Sequence, residues 1–432
     1  MDAGELTHLL RRTEIVVRPE RVAALSAGTR EAAVDAVMGV SAATVPIPSF
    51  IDHDIDGQGY DQFVYAVQWW TDRFVDSPTP FREKMALFWH GHFCSSWEKV
   101  NSARAMMQQN ALFRDSGLGN LRTLVQTMAL QPAMLRYLDN DDNRKSSPNQ
   151  NFARELMELF TLGVGNYTED DVTAAARAWT GHGIDPTTGD YLFRPRQHDT
   201  GTKTFMGVSR NWDGPDIVNF LLRDNAPTKM IACRFLTAKL WTFFAHEQPP
   251  TAVVDALAQV LFDADMEIAP WVRAMLLRDE FYSTTARQGL VRSPIEFLTA
   301  LAYSTGLRSA ELHPEWSTEG MGQVLFNPPN VAGWKTNGYW VNTGLFSARA
   351  EVAQGVVWRL RENDGNDIAA GRTPAEAVDE AARMFGLSLS DTTRSAMVQY
   401  CIDERAASPW GSWWESTVLL TMAMTCPEMH VA

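Results

Sequence analysis

The chain has 432 residues, of which 45% are hydrophobic and 21% charged, and its formal net charge is −14. This acidic balance argues against a nucleic-acid-binding protein, which needs a basic surface to neutralise phosphates. The four cysteines, Cys94, Cys233, Cys401 and Cys426, form no Cys-x-x-Cys pair, which argues against a zinc knuckle and against a disulfide scaffold.

The N-terminal sequence MDAGELTHLLRRTEIVV lacks the apolar stretch of a signal peptide. No segment of the chain has the run of about 20 apolar residues that a membrane span requires. The sequence as written therefore predicts a cytoplasmic protein without a membrane span.

Apolar residues recur at helical spacing through most of the chain, which predicts a mainly α fold. The glycine at 163 is suited to end one helix, and Thr168 with Asp171 has the spacing of a capping box, so a new helix should begin near Glu169. The clearest helical segments before this point are residues 60–75, 81–90, 102–114, 117–128 and 132–139.

Residues 182–212 differ from the rest, because turn residues alternate there with short apolar runs. They predict a small β-hairpin insertion near 184–210 in a large helical, bundle-like body. We expect a helical core over residues 1–310, an irregular loop rich in Trp, Gly and Pro over 311–345, and C-terminal helices over 346–432 that belong to the same compact unit.

The segment ELMEL contains the first candidate site. Glu155 and Glu158 lie three residues apart, so both would lie on one face of an α-helix, beside Arg154. Apolar residues surround them and would draw at least one carboxylate inward, where it needs a metal, a cation or hydrogen-bond donors. The simpler alternative pairs one glutamate with an arginine and leaves the other in solvent.

The segment FWHGHF contains the second candidate site. On a continuous helix the side chains of His90 and His92 would point about 200° apart and could not share a metal. A break at Gly91 would let them point the same way. Two histidines among aromatic residues need polar partners, so at least one is a candidate for a ligand or acid–base role. The alternative is that both are structural histidines with hydrogen-bond partners inside the protein.

Two further segments complete the candidate set. His198 and Asp199 lie in the predicted hairpin region shortly before Lys203. Asp199 could close the turn and His198 could face a pocket, or both could be purely structural. Trp334 and Trp340 lie in a loop too irregular for ordinary core, and such a loop can form the floor of a pocket.

Several motifs together resemble the bacterial family known as domain of unknown function 1800. They occur in the expected order along nearly the whole chain: HLLRR (8–12), REKMALFWHGHF (82–93), PAMLRYLDN (132–140), PNQNFARELMELFTLGVGNYTEDDV (148–172), AARAWTG (175–181), HDTGTKTFMG (198–207) and FNPPNVAGWKTNGYW (326–340).

The resemblance implies little chemistry, since the family is named for lacking a known function. Many relatives look secreted and are encoded beside sulfatase-like proteins, which implies an extracellular setting and a sulfatase-like partner. This chain differs in having no leader, in having Gln150 where relatives often have Glu, and in having His182-Gly183 where they usually have Trp. The loss of a carboxylate at 150 strengthens Glu155 and Glu158 as candidates.

Three hypotheses follow for the function. The first is a metal-dependent hydrolase of unknown substrate, with Glu155, Glu158 and His90 as catalytic residues. The second is a dinuclear iron or manganese oxidoreductase at the same site, although the usual Glu-x-x-His pair is missing. The third is a non-enzymatic binding or scaffold protein.

The first two hypotheses share one set of predicted residues. The metal would be Zn, Mn or Fe, since mixed nitrogen and oxygen ligands suit these ions. Its predicted ligands are His90, His92, Glu155, Glu158, His198 and Asp199, and the predicted substrate-binding residues are Trp334, Trp340, Arg154 and Lys203.

Overall fold

A computed structural model describes residues 1–39, 45–362, 367–407 and 411–432, with the side chain of Glu362 left out. Helices dominate these residues, and the strands form two small antiparallel hairpins. The prediction of a mainly α fold with a small β insertion is therefore confirmed. None of the described helices combines the length and the hydropathy needed to cross a bilayer.

The first part of the chain forms a succession of packed helices. Helix α5 has Pro80 in its first turn, where the missing N–H of proline has no hydrogen bond to lose, and it continues without a break through Gly91 to His92. The helices of this part are α1 (Ala3–Glu14), α2 (Pro19–Leu25), α3 (Arg30–Met38), α4 (Gly59–Asp76), α5 (Pro80–His92), α6 (Trp97–Val100), α7 (Ala103–Ser116), α8 (Leu121–Ala129) and α9 (Pro132–Tyr137).

The segment with the two glutamates is not a uniform α-helix. Helix α10 (Asn151–Glu155) continues as a π-helix over Leu156–Thr161, and Gly163 follows with a φ of +81°. Helix α11 (Glu169–Ala178) begins with the predicted capping box, in which Thr168 and Asp171 each accept the other's backbone N–H.

Two hairpins follow α11. Strand β1 (His182–Ile184) pairs with β2 (Tyr191–Phe193), and β3 (Lys203–Phe205) pairs with β4 (Val208–Arg210). Gly181 precedes β1 with a φ of +82°, and a Cβ at this position would lie 2.8 Å from the carbonyl oxygen of Arg194. Glycine therefore permits the close approach that brings β1 against the residues before β3.

Helices return after β4. Part of the segment expected to be irregular is helical, because Pro314 is suited to the first turn of a helix. The helices of this part are α12 (Gly214–Asn219), a π-helix (Phe220–Asp224), α13 (Ala226–Phe244), α14 (Thr251–Asp263), α15 (Ile268–Leu277), α16 (Pro294–Thr305), α17 (Ser309–Leu312), α18 (Pro314–Gly320), α19 (Thr343–Glu362), α20 (Pro374–Met384), α21 (Asp391–Ala407), α22 (Ser412–Thr425) and α23 (Pro427–His430).

One hydrophobic cluster runs through the described residues from Leu6 in α1 to Met429 in α23. Leu325, within residues 311–345, and Leu419 in α22 belong to it as well. The cluster thus contains residues from each of the ranges 1–310, 311–345 and 346–432.

All four cysteines are buried and free. Burial raises the pKa of Cys94, Cys233 and Cys401 to about 12. At neutral pH these side chains are thiols, which are weak nucleophiles and weak metal ligands.

Candidate functional site

A cavity of about 400 Å³ lies between α5, α13 and the loop that contains Trp334. Its volume falls in the range of small-molecule sites, and most of its wall is apolar. The residues that line it are Arg12, Lys84, Leu87, Phe88, Gly91, His92, Phe235, Ala238, Lys239, Thr242, Phe243, Pro249, Leu290, Val291, Ser293, Glu296, Gln323, Ala332, Trp334, Thr336, Asn337, Trp340 and Ala432.

Two of the cations in the wall have hydrogen-bond acceptors within the protein. The ammonium of Lys84 pairs with the carboxylate of Glu296, which also accepts the backbone N–H of Ser293. Burial alone would raise the pKa of Glu296, but Lys84 and Ser293 lower it to about 2. Arg12 donates to the carbonyl oxygens of Ala245, at 3.1 Å, and Ala286, at 2.7 Å.

Lys239 differs from Lys84, because it has no carboxylate partner in the described part of the chain. Its ammonium donates to the carbonyl oxygen of Leu159 at 3.2 Å and lies 4.8 Å from the ring centre of Phe235. No side-chain carboxylate of the described residues forms an ion pair with it. Because burial disfavours an uncompensated charge, the pKa of Lys239 is lowered. The wall thus contains an ammonium group without a counter-charge.

Trp334 and Trp340, predicted to bind substrate, both line this cavity. The loop approaches α5 at Gly333, where φ is +83° and a Cβ would lie 2.5 Å from the carbonyl oxygen of Gly91. Gly333 therefore lets the backbone of the loop pack on the backbone of α5 at the edge of the cavity.

His90 and His92 point away from each other, because α5 is continuous through Gly91. Nε2 of His90 accepts the backbone N–H of Phe326 at 3.0 Å, and burial lowers the pKa of His90 to about 3. Nε2 of His92 lies 3.0 Å from the carbonyl oxygen of Phe160, and burial, with Lys239 nearby, lowers the pKa of His92. Both rings are neutral, and His92 alone of the two lines the cavity.

Glu155 and Glu158 lie at the junction of α10 and the π-helix. Glu158 accepts the hydroxyl of Tyr167 at 2.5 Å, whereas the described residues provide no hydrogen bond or ion pair for Glu155. Burial and the neighbouring Glu158 raise the pKa of Glu155. Arg154 pairs with Glu169, at 2.7 and 2.8 Å, and so does not neutralise Glu155 directly.

The remaining predicted residues lie near the hairpins. Asp199 pairs with Arg177 at 2.7 Å, and Lys203 donates to the carbonyl oxygens of Asp199 and Trp212 and to Asn211. Nδ1 of His198 lies 2.8 Å from the carbonyl oxygen of Thr180.

The six predicted ligands do not form a common group. A metal ion needs several His, Cys, Asp or Glu side chains close together. Within the described parts of the chain, one such group of three or more has its ligand atoms within 4.8 Å of one another, and it consists of His182, His198 and Asp213. His198 belongs to the predicted set, and the other two do not.

Residues 8–431 match the family described as "Protein of unknown function (DUF1800)". The chain belongs to the DUF1800 family. No curated protein and no solved structure gives a significant match to it.

For this DUF1800 protein, sequence reasoning missed Lys239, His182 and Asp213. Lys239 occurs in a long apolar helix without a local motif, so its position in a cavity wall depends on packing. Asp213 precedes Gly-Pro, which marks it as a helix N-cap, and nothing near it in the sequence indicates a neighbouring imidazole.

Proposed function

We propose that this DUF1800 protein binds a small amphipathic carboxylate in the cavity between α5, α13 and the loop of Trp334 and Trp340. The observation that carries the proposal is the ammonium of Lys239, which lies in a largely apolar wall without a carboxylate partner. A ligand carboxylate would supply the missing counter-charge, and the aromatic and aliphatic wall would cover an apolar body.

One polar atom behind the wall favours the same class of ligand. Trp340 has a buried Nε1 without a hydrogen-bond partner among the described residues. This atom lies below the cavity surface, so a ligand would reach it only after the side chain rotates. The N–H of the indole can only donate, which again suits a ligand with oxygen acceptors.

Isothermal titration calorimetry with decanoate and with decanol tests this function. We expect decanoate to bind about ten-fold more tightly than the neutral alcohol, because one charge-assisted hydrogen bond contributes roughly 1.5 kcal/mol. Lys239→Gln should remove the difference between the two ligands. Lys335→Gln, which removes an exposed lysine of the adjacent loop outside the cavity wall, should keep it. The proposal fails if decanoate does not bind, or if Lys239→Gln binds it as the unchanged protein does.

A metal-dependent hydrolase is the second candidate. The observation that favours it is Glu155, a partly buried carboxylate without a hydrogen-bond partner in the described structure, whose raised pKa suits a general base. Hydrolysis of chromogenic phosphate, sulfate and carboxylate esters, with and without a chelator, would detect such an activity. We expect Glu155→Gln to abolish it and Glu351→Gln, on an exposed face of α19, to keep it; equal rates in the two variants would exclude Glu155 as the base.

A further inference from the structure

Three side chains from separate elements meet beside the first hairpin. His182 is the first residue of β1, His198 follows the 3₁₀ turn Pro195–Gln197, and Asp213 caps the N-terminus of α12. The ligand atoms of all three lie within 4.8 Å of one another. Both histidines are buried, whereas the side chain of Asp213 is 45% exposed.

His198 is oriented as a metal ligand would be. A carbonyl oxygen can only accept a hydrogen bond, so the contact to Thr180 places the proton of the neutral ring on Nδ1. Nε2 then has a free lone pair, and it has no hydrogen-bond partner in the described residues. Metal-binding histidines usually hold their second ring nitrogen against a carbonyl or carboxylate in this way.

His182 can present its Nε2 to a metal through a change of tautomer. Its Nε2 lies 2.9 Å from Oδ1 of Asp213, and because a carboxylate can only accept, this contact by itself places the ring proton on Nε2. A metal ion at Nε2 would take the place of that proton, and the ring would then hold its proton on Nδ1, which lies 2.9 Å from the hydroxyl of Tyr191, an oxygen that can accept this hydrogen bond. Two ligand atoms of one metal ion, each about 2.1 Å from the metal, are separated by roughly 3.0 to 3.4 Å. The His182–Asp213 pair is thus already near the spacing that a shared ion requires.

A plain hydrogen bond between His182 and Asp213 would explain those two residues alone. It does not explain His198, which also brings a ring nitrogen to within 4.8 Å of the other two ligand atoms, while Trp179 and Phe193 pack around the rings. The neighbouring ammonium of Lys203 does not occupy this place either, since it is held by Asn211 and the carbonyl oxygens of Asp199 and Trp212.

We propose that His182, His198 and Asp213 bind one divalent transition-metal ion, with Zn²⁺ as the ion of choice. Two imidazoles and one carboxylate suit Zn²⁺ and disfavour Ca²⁺ and Mg²⁺, which prefer oxygen ligands. Three protein ligands leave at least one coordination position, on the side where Asp213 reaches solvent. The site is independent of the cavity and of the Glu155–Glu158 pair.

Zinc binding to chelator-treated protein, measured by calorimetry and by elemental analysis after desalting, tests the proposal. We expect one Zn²⁺ per chain and no uptake of Ca²⁺. His182→Ala, His198→Ala and Asp213→Asn should each weaken the affinity about a hundred-fold or more. His53→Ala is the matched control, because His53 contacts Asp52 on the surface and resembles the proposed pair without a third ligand.

Two further measurements guard against variants that fail to fold. His198→Gln keeps the size and polarity of the side chain, and Tyr191→Phe removes only the partner of Nδ1, so Tyr191→Phe should weaken binding about ten-fold. Added Zn²⁺ should raise the thermal midpoint of the unchanged protein and leave that of His198→Gln where it was. Absence of zinc uptake, or uptake that survives in folded His198→Gln, overturns the assignment.

Discussion

Glu83 shows at the level of one residue how a buried charge is accommodated in this protein. Its carboxylate, fully buried in α5, accepts hydrogen bonds from Trp70 at 3.0 Å and from Arg73 and Arg114 at 2.8 Å. Burial by itself would raise the pKa of Glu83, but the two guanidinium groups outweigh it and the pKa is lowered. Glu83 is thus ionised and fully paired.

Glu83→Gln should lower the free energy of unfolding by about 3 to 5 kcal/mol, because it leaves two arginines near the core without their counter-charge. Urea unfolding followed by circular dichroism measures the change. Glu380→Gln removes a carboxylate from a pair with the exposed Arg383 and should change stability by less than about 1 kcal/mol. Similar losses of unfolding free energy in the two variants would show that the buried pairs of Glu83 contribute no more than an exposed ion pair.

Residue types allowed part of the candidate site to be predicted. Trp334, Trp340 and His92 were singled out because aromatic and imidazole side chains in an irregular or aromatic setting need an explanation, and all three line the cavity. Lys239 gave no such signal, because a lysine in a helix is usually a solvated residue. Its partial burial depends on tertiary contacts, such as that of its ammonium with the carbonyl oxygen of Leu159, which no local pattern encodes.

At the level of elements, the assumption of regular α geometry fails at the two glutamates. The i, i+3 spacing of Glu155 and Glu158 was interpreted on a standard helix, but residues 156–161 form a π-helix. The wider turn is held by the backbone N–H of Leu162, which reaches the carbonyl oxygen of Met157, and by the hydroxyl of Thr161, which donates to that of Leu156. Such local widening depends on tertiary contacts and is frequent at functional sites.

Capping residues, by contrast, were predictable, because their interactions are local. Asp171 does more than close the capping box of α11: its Oδ1 accepts the backbone N–H of Met206 at 2.7 Å, in the turn between β3 and β4. One side chain therefore fixes both the start of α11 and the position of the second hairpin.

Asp171→Ala should lower the free energy of unfolding by about 1 to 2 kcal/mol, because a helix cap and a buried hydrogen bond are lost together. It should also speed hydrogen exchange of the Met206 amide. Asp170→Ala is the control, because it removes an exposed carboxylate from the same helical turn. It therefore loses the same favourable interaction with the helix dipole as Asp171→Ala does. We expect no change at Met206 in this control; equal exchange rates in both variants would show that Asp171 does not hold the hairpin.

At the level of the whole molecule, the cavity joins parts of the chain that are far apart in sequence. Arg12 in α1, Leu290 before α16 and Ala432 after α23 all line it. An isolated antiparallel bridge between Val291 and Val431 brings the last two together. Sequence patterns predict each element, but they do not tell which elements meet, and so the cavity itself was beyond prediction.

Buried histidines make the stability of the whole molecule depend on pH. Burial lowers the pKa of His8, His90 and His430 to about 3. Between this value and the ordinary pKa of about 6.5, the unfolded chain binds protons that the folded chain does not. The contribution of these three neutral rings to the free energy of unfolding is therefore fully present above about pH 6.5, and it is lost as the pH falls.

In the window from about pH 6.5 to 4.5, the free energy of unfolding should fall by about 1.4 kcal/mol per pH unit for each of these histidines. Urea unfolding at several pH values measures it. His430→Gln should reduce this slope by the contribution of one histidine. A free energy of unfolding that does not vary over this window would refute the assignment of neutral buried rings.

The four buried thiols make unfolding directly observable. Cys94 follows α5, Cys233 lies in α13, Cys401 in α21 and Cys426 between α22 and α23, and none is accessible in the folded protein. An alkylating reagent such as iodoacetamide would therefore label only molecules that have opened locally or globally. Mass spectrometry of the labelled peptides would then measure the rate of opening at four separate regions of the protein, without any substitution.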